Sequence, residues 1–158
     1  MIPILLSLAL ATAPWPALAT PTAPQDREAA LRRPLDAWVA VWNSFDLDGV
    51  DRLFVADASV TYFSSERNGL IQGIEALREH HHGFGFRPGG AAAGSRLWLE
   101  DVEVRWEGET AVVLAQWLFA RAGSEGPPQK GPVTFVFVAR DGEYRILHAH
   151  FANGVAGG

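Results

Sequence analysis

The sequence predicts an α+β domain in which three helices pack on one face of a curved antiparallel sheet. Helical periodicities occupy the first half of the chain, and the long strand patterns occupy the second half. The last two strands flank Asp141-Gly142, a strong hairpin signal between runs rich in β-branched and aromatic residues. Helices followed by a meander of strands are typical of this layered class.

Composition bounds the class of protein before any motif is considered. A chain of 158 residues is long enough for one domain with a substantial core. The net charge of −5 argues against a nucleic-acid surface. The absence of cysteine excludes disulfides, thiolate metal sites and a cysteine nucleophile.

Residues 1–19 have the pattern of a signal peptide. A short apolar core at residues 2–11 precedes Ala17-Leu18-Ala19, which has the small-x-small form of a cleavage site. The apolar run is too short to span a bilayer. We therefore expect export, cleavage after Ala19 and a periplasmic or secreted protein that is not membrane-bound after cleavage. A cytoplasmic N-terminal tail is the alternative.

The remaining boundaries follow from composition and pattern. Residues 20–27 contain two prolines and are predicted to be a disordered lead-in. Residues 28–153 are predicted to form the domain, and residues 154–158 a flexible tail.

Three helices are predicted from apolar spacing. The first has an apolar stripe and either begins or kinks at Pro34. Its stripe is formed by Leu31, Leu35, Trp38, Trp42 and Phe45. Asp46 or Asp48 can cap a second, short helix that runs to Phe54. Gly73 opens the third, whose buried face is predicted to carry Ile74, Leu77, His81 and Phe84.

The strands follow alternating patterns. A short strand is predicted at 59–64 and a returning one at Leu70-Ile71. A strand at 97–106 places Glu100 as a lone carboxylate on an otherwise apolar face, formed by Trp98, Val102, Val104 and Trp106. The strand at 110–121 and the first strand of the closing hairpin are apolar on both faces. A monomer would expose one of these faces, so a homodimer through the outer sheet face is predicted.

Two motifs resemble a known superfamily. The entry to the third helix reads Gly-x-x-x-Gly-Ile-Glu-Ala-Leu-Arg over residues 69–78, and the chain ends in Asp-Gly-x-Tyr-x-x-x-His-x-His over residues 141–150. With the order of elements, these motifs resemble the nuclear transport factor 2-like superfamily. Within it they resemble the SnoaL-like group, which includes the association domain of calcium/calmodulin-dependent protein kinase II.

The resemblance implies a cone-shaped curved sheet, a cystatin-like roll, with the three helices on its concave face. It also implies a pocket between helices and sheet and, usually, a dimer. It implies no single activity, because the fold hosts isomerases, cyclases, dehydratases and assembly domains.

Candidate ligand-binding residues combine aromatic chemistry with positions implied by the resemblance. Leu118 and Phe135 stand where the kinase association domain has pocket arginines, so an anion pocket of that kind is disfavoured. Phe151 stands at a pocket position of that family. The predicted pocket residues are Trp42, Tyr62, His81, Trp117, Leu118, Phe135 and Phe151. The expected ligand is a small, largely apolar molecule, and no cofactor is expected.

Two other function classes remain open at the sequence level. His81, Glu100 or Tyr62 could transfer protons in an isomerase or dehydratase. Glu100 would need burial to raise its pKa, whereas a strand bulge would turn it to solvent. A pure oligomerisation domain with a filled cone is the third possibility.

His148 and His150 lie two apart on the final strand and therefore share one face, together with Ile146. Leu147, Ala149 and Phe151 form the other. With His81 the pair could make a three-imidazole metal site only if it faces the helices. The position of Phe151 favours the other orientation, so we predict that both histidines point away from the cone and stabilise the dimer. No metal is predicted.

Overall fold

The computed structural model describes residues 24–91 and 94–154. Its helices are α1 (Pro24–Ser44), α2 (Leu47–Leu53) and α3 (Ile74–Gly83). Its strands are β1 (Thr61–Phe63), β2 (Ile71–Gln72), β3 (Arg96–Glu107), β4 (Thr110–Ala120), β5 (Gln129–Arg140) and β6 (Glu143–Phe151). The predicted α+β class is confirmed. The predicted signal peptide at 1–19 and tail residues 155–158 lie outside the described residues.

The strands form one six-stranded curved sheet in the order β2-β1-β6-β5-β4-β3. Neighbouring strands are antiparallel except β1 and β6, which are parallel, with Thr61 opposite His148. The predicted curved antiparallel sheet is confirmed for the other four pairs of strands, and β1–β6 is a parallel pair that was not predicted. A short turn forces the two strands that it joins to run in opposite directions, but β1 and β6 are far apart in the chain and no hairpin joins them. They are therefore free to pair in parallel.

Helix α1 lies across the concave face of the sheet. Trp38 on its apolar stripe contacts the rings of Phe135 at 4.9 Å and Phe151 at 5.5 Å between centroids. The helix begins at Pro24, so residues 24–27 are helical rather than part of a disordered lead-in. Proline suits a first helical turn, and Arg27 anchors that turn by lying 4.3 Å from the ring centroid of Trp106.

Pro34 lies inside α1 without ending it. Within the described part of the chain, no helix has the length and apolarity needed to cross a membrane.

A bulge in β3 reverses the alternation of side chains along the strand, so residues that were predicted to share one face lie on opposite faces of the sheet. The register shifts between Glu100 and Glu103, and Asp101 has a φ of 53°. Before the bulge, Leu99 pairs with Trp117 on the inner face; after it, Val104 pairs with Val113 there. Trp98 and Glu100 therefore lie on the outer face, and the prediction that they share a face with Val104 and Trp106 is wrong.

A second bulge lies in β6. Phe137 pairs with Ile146 and Val136 with His148, so Leu147 is the extra residue. Ile146 is therefore buried on the inner face with Ala149 and Phe151. Placing Ile146 on the histidine face was wrong, because one inserted residue inverts the alternation. His148 and His150 lie on the outer face, beside Thr61 and Phe63 of β1.

Candidate functional site

A cavity of about 210 Å³ lies between α1, the segment after α3 and the inner face of the sheet. Its interior is mainly aromatic and its mouth is polar. The aromatic lining residues are Trp42, Phe45, Tyr62, Phe84, Trp117, Phe119 and Phe151. Walls of this kind suit a small apolar ligand that is oriented by a few polar groups.

Strand alternation positions one wall. Trp117 and Phe119 lie two apart on β4 and both face inward. The Trp117 indole Nε1 donates to the carbonyl of Ala152 at 3.0 Å, which fixes the plane of that ring. Phe151 at the end of β6 lies 6.1 Å from Trp117 between centroids.

Helical spacing positions the facing wall. Trp42 follows Trp38 by one turn of α1, which places both indoles on the concave side. The Trp42 ring packs edge-on against Phe86 at 5.0 Å and Phe84 at 5.9 Å. Phe84 lies at the C-terminal cap of α3. The end of α3 therefore closes the cavity against α1.

Tyr62 is the buried polar residue of the cavity wall, with 2% of its surface exposed. Its ring is stacked on Phe151 at 5.4 Å and lies edge-on to His81 at 5.6 Å. Burial raises the pKa of the Tyr62 hydroxyl well above its usual range. The hydroxyl therefore keeps its proton and is a hydrogen-bond donor.

His81 is buried behind this wall rather than in it. Its Nδ1 lies 2.9 Å from the Leu77 carbonyl and donates to it, which leaves the lone pair on Nε2. Burial lowers the pKa of His81 to about 4. Its edges meet the rings of Trp42, Phe54 and Phe86. His81 is thus a neutral imidazole inside an aromatic cluster.

The mouth of the cavity is formed by polar side chains. Gln129 donates to the Glu66 carboxylate at 2.7 Å and to the Asn153 side-chain carbonyl at 2.9 Å. The Arg121 guanidinium lies 5.8 Å from the ring centroid of Phe119. Ser64, Ser65 and Ser95 complete the polar lining.

The structure separates the predicted pocket residues into three groups. Trp42, Tyr62, Trp117 and Phe151 lie together at the cavity wall. His81 and Phe135 lie deeper in the core, and Phe135 is covered by Trp38.

Leu118 pairs with Trp98 and Lys130 on the outer face, so placing it in the pocket is wrong. It follows Trp117, which faces inward, and successive strand residues point to opposite sides. Glu100 is exposed on the same outer face, where it accepts a hydrogen bond from the Trp98 indole at 2.9 Å. It therefore cannot act as an acid or base in this cavity.

Several lining residues were not predicted as site residues. Phe45 and Phe84 were predicted only as positions on the apolar faces of their helices, and Phe119 was not singled out. The mouth residues Glu66, Arg121 and Gln129 come from three separate loops or strand ends. Periodicity within one element could not bring them together.

The described residues contain no cluster of three or more His, Asp or Glu side chains placed to hold a metal ion. The three-imidazole alternative fails because the sheet separates its members. His81 is buried on the helix side, whereas His148 and His150 lie on the opposite face.

On that outer face, His148 Nδ1 lies 2.8 Å from the Thr61 hydroxyl oxygen. The pKa of His148 is lowered, first by partial burial and then by the neighbouring His150. The ring of Phe63 lies 5.2 Å from His150 between centroids. The two histidines are therefore part of an edge cluster with β1, and their role in a dimer stays a prediction.

Comparison with known proteins places this architecture among relatives. The family model described as a SnoaL-like domain matches residues 25–150. A nuclear transport factor 2-like superfamily protein from Salmonella enterica serovar Typhimurium aligns over 86% of this chain and 99% of its own, with 17% identity and a TM-score of 0.68.

Two further solved structures are similar. A protein of unknown function from Pseudomonas putida, described as nuclear transport factor 2-like, has 16% identity and a TM-score of 0.69 over 81% of this chain and 87% of its own. The hub domain of calcium/calmodulin-dependent protein kinase II from S. rosetta has 23% identity and a TM-score of 0.64, and the alignment covers 85% of this chain and 100% of the hub chain. No curated protein matches the chain in sequence.

Proposed function

We propose that this chain, which belongs to the SnoaL-like domain family, binds a small, largely apolar molecule and is an exported homodimer. Its fold is nuclear transport factor 2-like and cystatin-like. The ligand occupies the cavity between the helices and the sheet. Such domains are suited to binding small molecules or to isomerase-type chemistry, and the positions of the titratable residues favour binding for this chain.

The observation that carries the proposal is the cavity itself. Seven aromatic side chains line about 210 Å³ beneath a polar mouth. Apolar walls around an open volume favour an apolar guest, because its burial removes hydrocarbon surface from water. A pure oligomerisation domain would be expected to fill its cone with side chains.

Binding is favoured over proton transfer by the positions of the titratable groups. His81 lies behind the wall and Glu100 lies on the outer face. Among the described residues that line the cavity, Glu66 is the one carboxylate, and it lies at the mouth in a hydrogen bond with Gln129. The apolar interior therefore presents no carboxylate–histidine pair.

The homodimer is supported by the outer face of β4 and β5. Val112, Leu114, Thr134 and Val136 form a half-buried, uncharged patch at its centre. The kinase hub among the similar structures is compatible with assembly through this fold. A second copy would remove the patch from water.

Native mass spectrometry of protein purified from its own host tests ligand and dimer together. We expect a mass of two chains with a small organic molecule retained on each. A monomer at micromolar concentration would contradict the dimer. A protein that retains no molecule and binds none of a panel of one- and two-ring compounds would contradict the binding function.

Export is proposed from the pattern at residues 1–19. N-terminal analysis of protein recovered outside the cytoplasm should begin at Thr20. An intact Met1 on cytoplasmic protein would contradict it.

A further inference from the structure

We propose that His148 and His150 form a bidentate site on the outer face of the sheet for a late divalent transition-metal ion, copper(II) or zinc(II). The sheet separates this site from the cavity, so the site goes beyond the proposed ligand binding and does not depend on it. It uses two imidazoles from one strand and does not require His81, which lies on the helix side.

The spacing of the two histidines is the first observation. They lie two apart on β6, beyond the bulge at Leu147, so both rings leave the same face of the sheet. Their positions are about 6.6 Å apart along the strand, which is twice the rise per residue. Two imidazoles can bridge that separation when each places a ring nitrogen about 2.0–2.1 Å from a shared ion. Since β1 and β5 pair with β6 on either side here, the backbone of both residues is fixed.

The orientation of the rings is the second, independent observation. His148 Nδ1 lies 2.8 Å from the Thr61 hydroxyl oxygen, and when its N–H donates to that oxygen the lone pair lies on Nε2. Metal-binding histidines typically make such a hydrogen bond through the ring nitrogen that does not bind the ion. The ring of Phe63 packs against both imidazoles, with centroids 6.1 Å from His148 and 5.2 Å from His150. These contacts restrict the rings in advance, which lowers the entropic cost of binding an ion.

The surroundings of the pair decide which ions fit. The outer-face residues that pair with the two histidines are uncharged, namely Thr61 and Phe63 on β1 and Thr134 and Val136 on β5. Within residues 24–91 and 94–154, neither imidazole forms an ion pair with a carboxylate.

A donor set of imidazoles alone suits copper(II) and zinc(II), with copper(II) bound more tightly, whereas magnesium and calcium prefer oxygen ligands. His150 is exposed and His148 is half-buried, so both rings are accessible to an ion from solvent.

The third helix offers an internal contrast. His80 and His82 are also two apart in sequence, but they belong to α3, where two residues differ by about 200° around the helix axis. Their rings therefore diverge and cannot share one ion. His82 is exposed, and its replacement supplies a matched control that also removes one imidazole.

The experiment is a calorimetric titration of the untagged full-length protein, freed of metal with a chelator, at about pH 7.5, where free imidazoles are mostly neutral. The titrants are zinc chloride, copper(II) chloride and magnesium chloride. The variants are His148→Ala, His150→Ala and Thr61→Val, and the control is His82→Ala. Far-ultraviolet circular dichroism shows that each variant is folded, and His150→Ala changes a side chain that is exposed.

We expect wild type and His82→Ala to bind one copper(II) or zinc(II) ion per chain, copper(II) more tightly, and no magnesium. His148→Ala and His150→Ala should each lose this binding, because a single imidazole remains. Thr61→Val keeps both ligands but removes the acceptor that orients His148, so it should bind about 10–100-fold more weakly.

Failure of wild type to bind either transition-metal ion would overturn the inference. Undiminished binding in His148→Ala or His150→Ala would also overturn it, because it would show an adventitious ion only. Loss of binding in His82→Ala would place the site on α3 instead. Undiminished binding in Thr61→Val would contradict the orienting hydrogen bond. None of these outcomes bears on the small-molecule binding proposed for the cavity.

Discussion

The two faces of the sheet are made by the same strands, and both carry apolar side chains on β4 and β5, but these side chains differ in burial. On the inner face, Phe135 and Phe137 of β5 are fully buried under the helices. On the outer face, Val136 and Thr134, their neighbours in sequence, remain half-exposed. Apolar composition alone therefore does not show whether a surface is covered.

Placing a charge on the outer face tests that contrast most strongly. Val136→Glu should abolish a dimer formed through β4 and β5, because a carboxylate would be buried without a partner in each subunit, at roughly 3–5 kcal/mol per ion. Sedimentation velocity at micromolar concentration would measure the loss.

The control for that variant is Arg140→Glu, which lies at the exposed end of β5. If Val136→Glu remains dimeric, this patch does not form the contact.

Truncating an inner-face ring should destabilise the fold itself. Phe135→Ala leaves a cavity beneath Trp38, and we expect a loss of about 3–5 kcal/mol in the free energy of unfolding. The matched outer-face variant Val136→Ala should cost about 1 kcal/mol or less at concentrations where the chain is monomeric. Urea denaturation followed by far-ultraviolet circular dichroism measures both. Similar losses in the two variants would remove the distinction between the faces.

The pH dependence of stability reports on the helix side of the inner face through His81. Its folded-state pKa of about 4 lies below the unfolded value of about 6.5, so the unfolded chain binds more protons between these values. Stability should therefore fall as pH drops from about 6.5 towards 4, by up to about 3 kcal/mol, and should be unaffected by this group above pH 7.

The slope of unfolding free energy against pH should be reduced in His81→Gln and retained in His82→Gln, whose parent side chain is exposed. An unchanged slope in His81→Gln would mean that the imidazole of His81 is not buried in its neutral form.

The last prediction concerns the outer-face histidines. His148→Ala removes the contact with the Thr61 hydroxyl, and in a dimer it leaves a buried partner unpaired. Association should weaken by about 1–3 kcal/mol, with little change in ligand affinity. His150→Ala should act in the same direction. A double variant that dimerises normally but loses its ligand would move both residues from the interface to the site.

The sequence by itself predicted which elements form and in what order. Apolar spacing identified the stripe of α1 and the buried side of α3, including His81, since helical periodicity depends only on the residues of one helix. Asp141-Gly142 located the final hairpin, and two short motifs indicated the superfamily. Trp42, Tyr62, Trp117 and Phe151, which were predicted to bind a ligand, all line one cavity, and ligand binding by them stays a prediction.

Only the tertiary structure decided which way several strand residues face. The bulges near Asp101 and at Leu147 each insert one residue, which moved Glu100 to the outer face and Ile146 to the inner face. Strand alternation has a period of two, so a single unpaired residue inverts every side chain beyond it. Whether such a residue is inserted depends on pairing with a neighbouring strand, and that information is not local to the strand's own sequence.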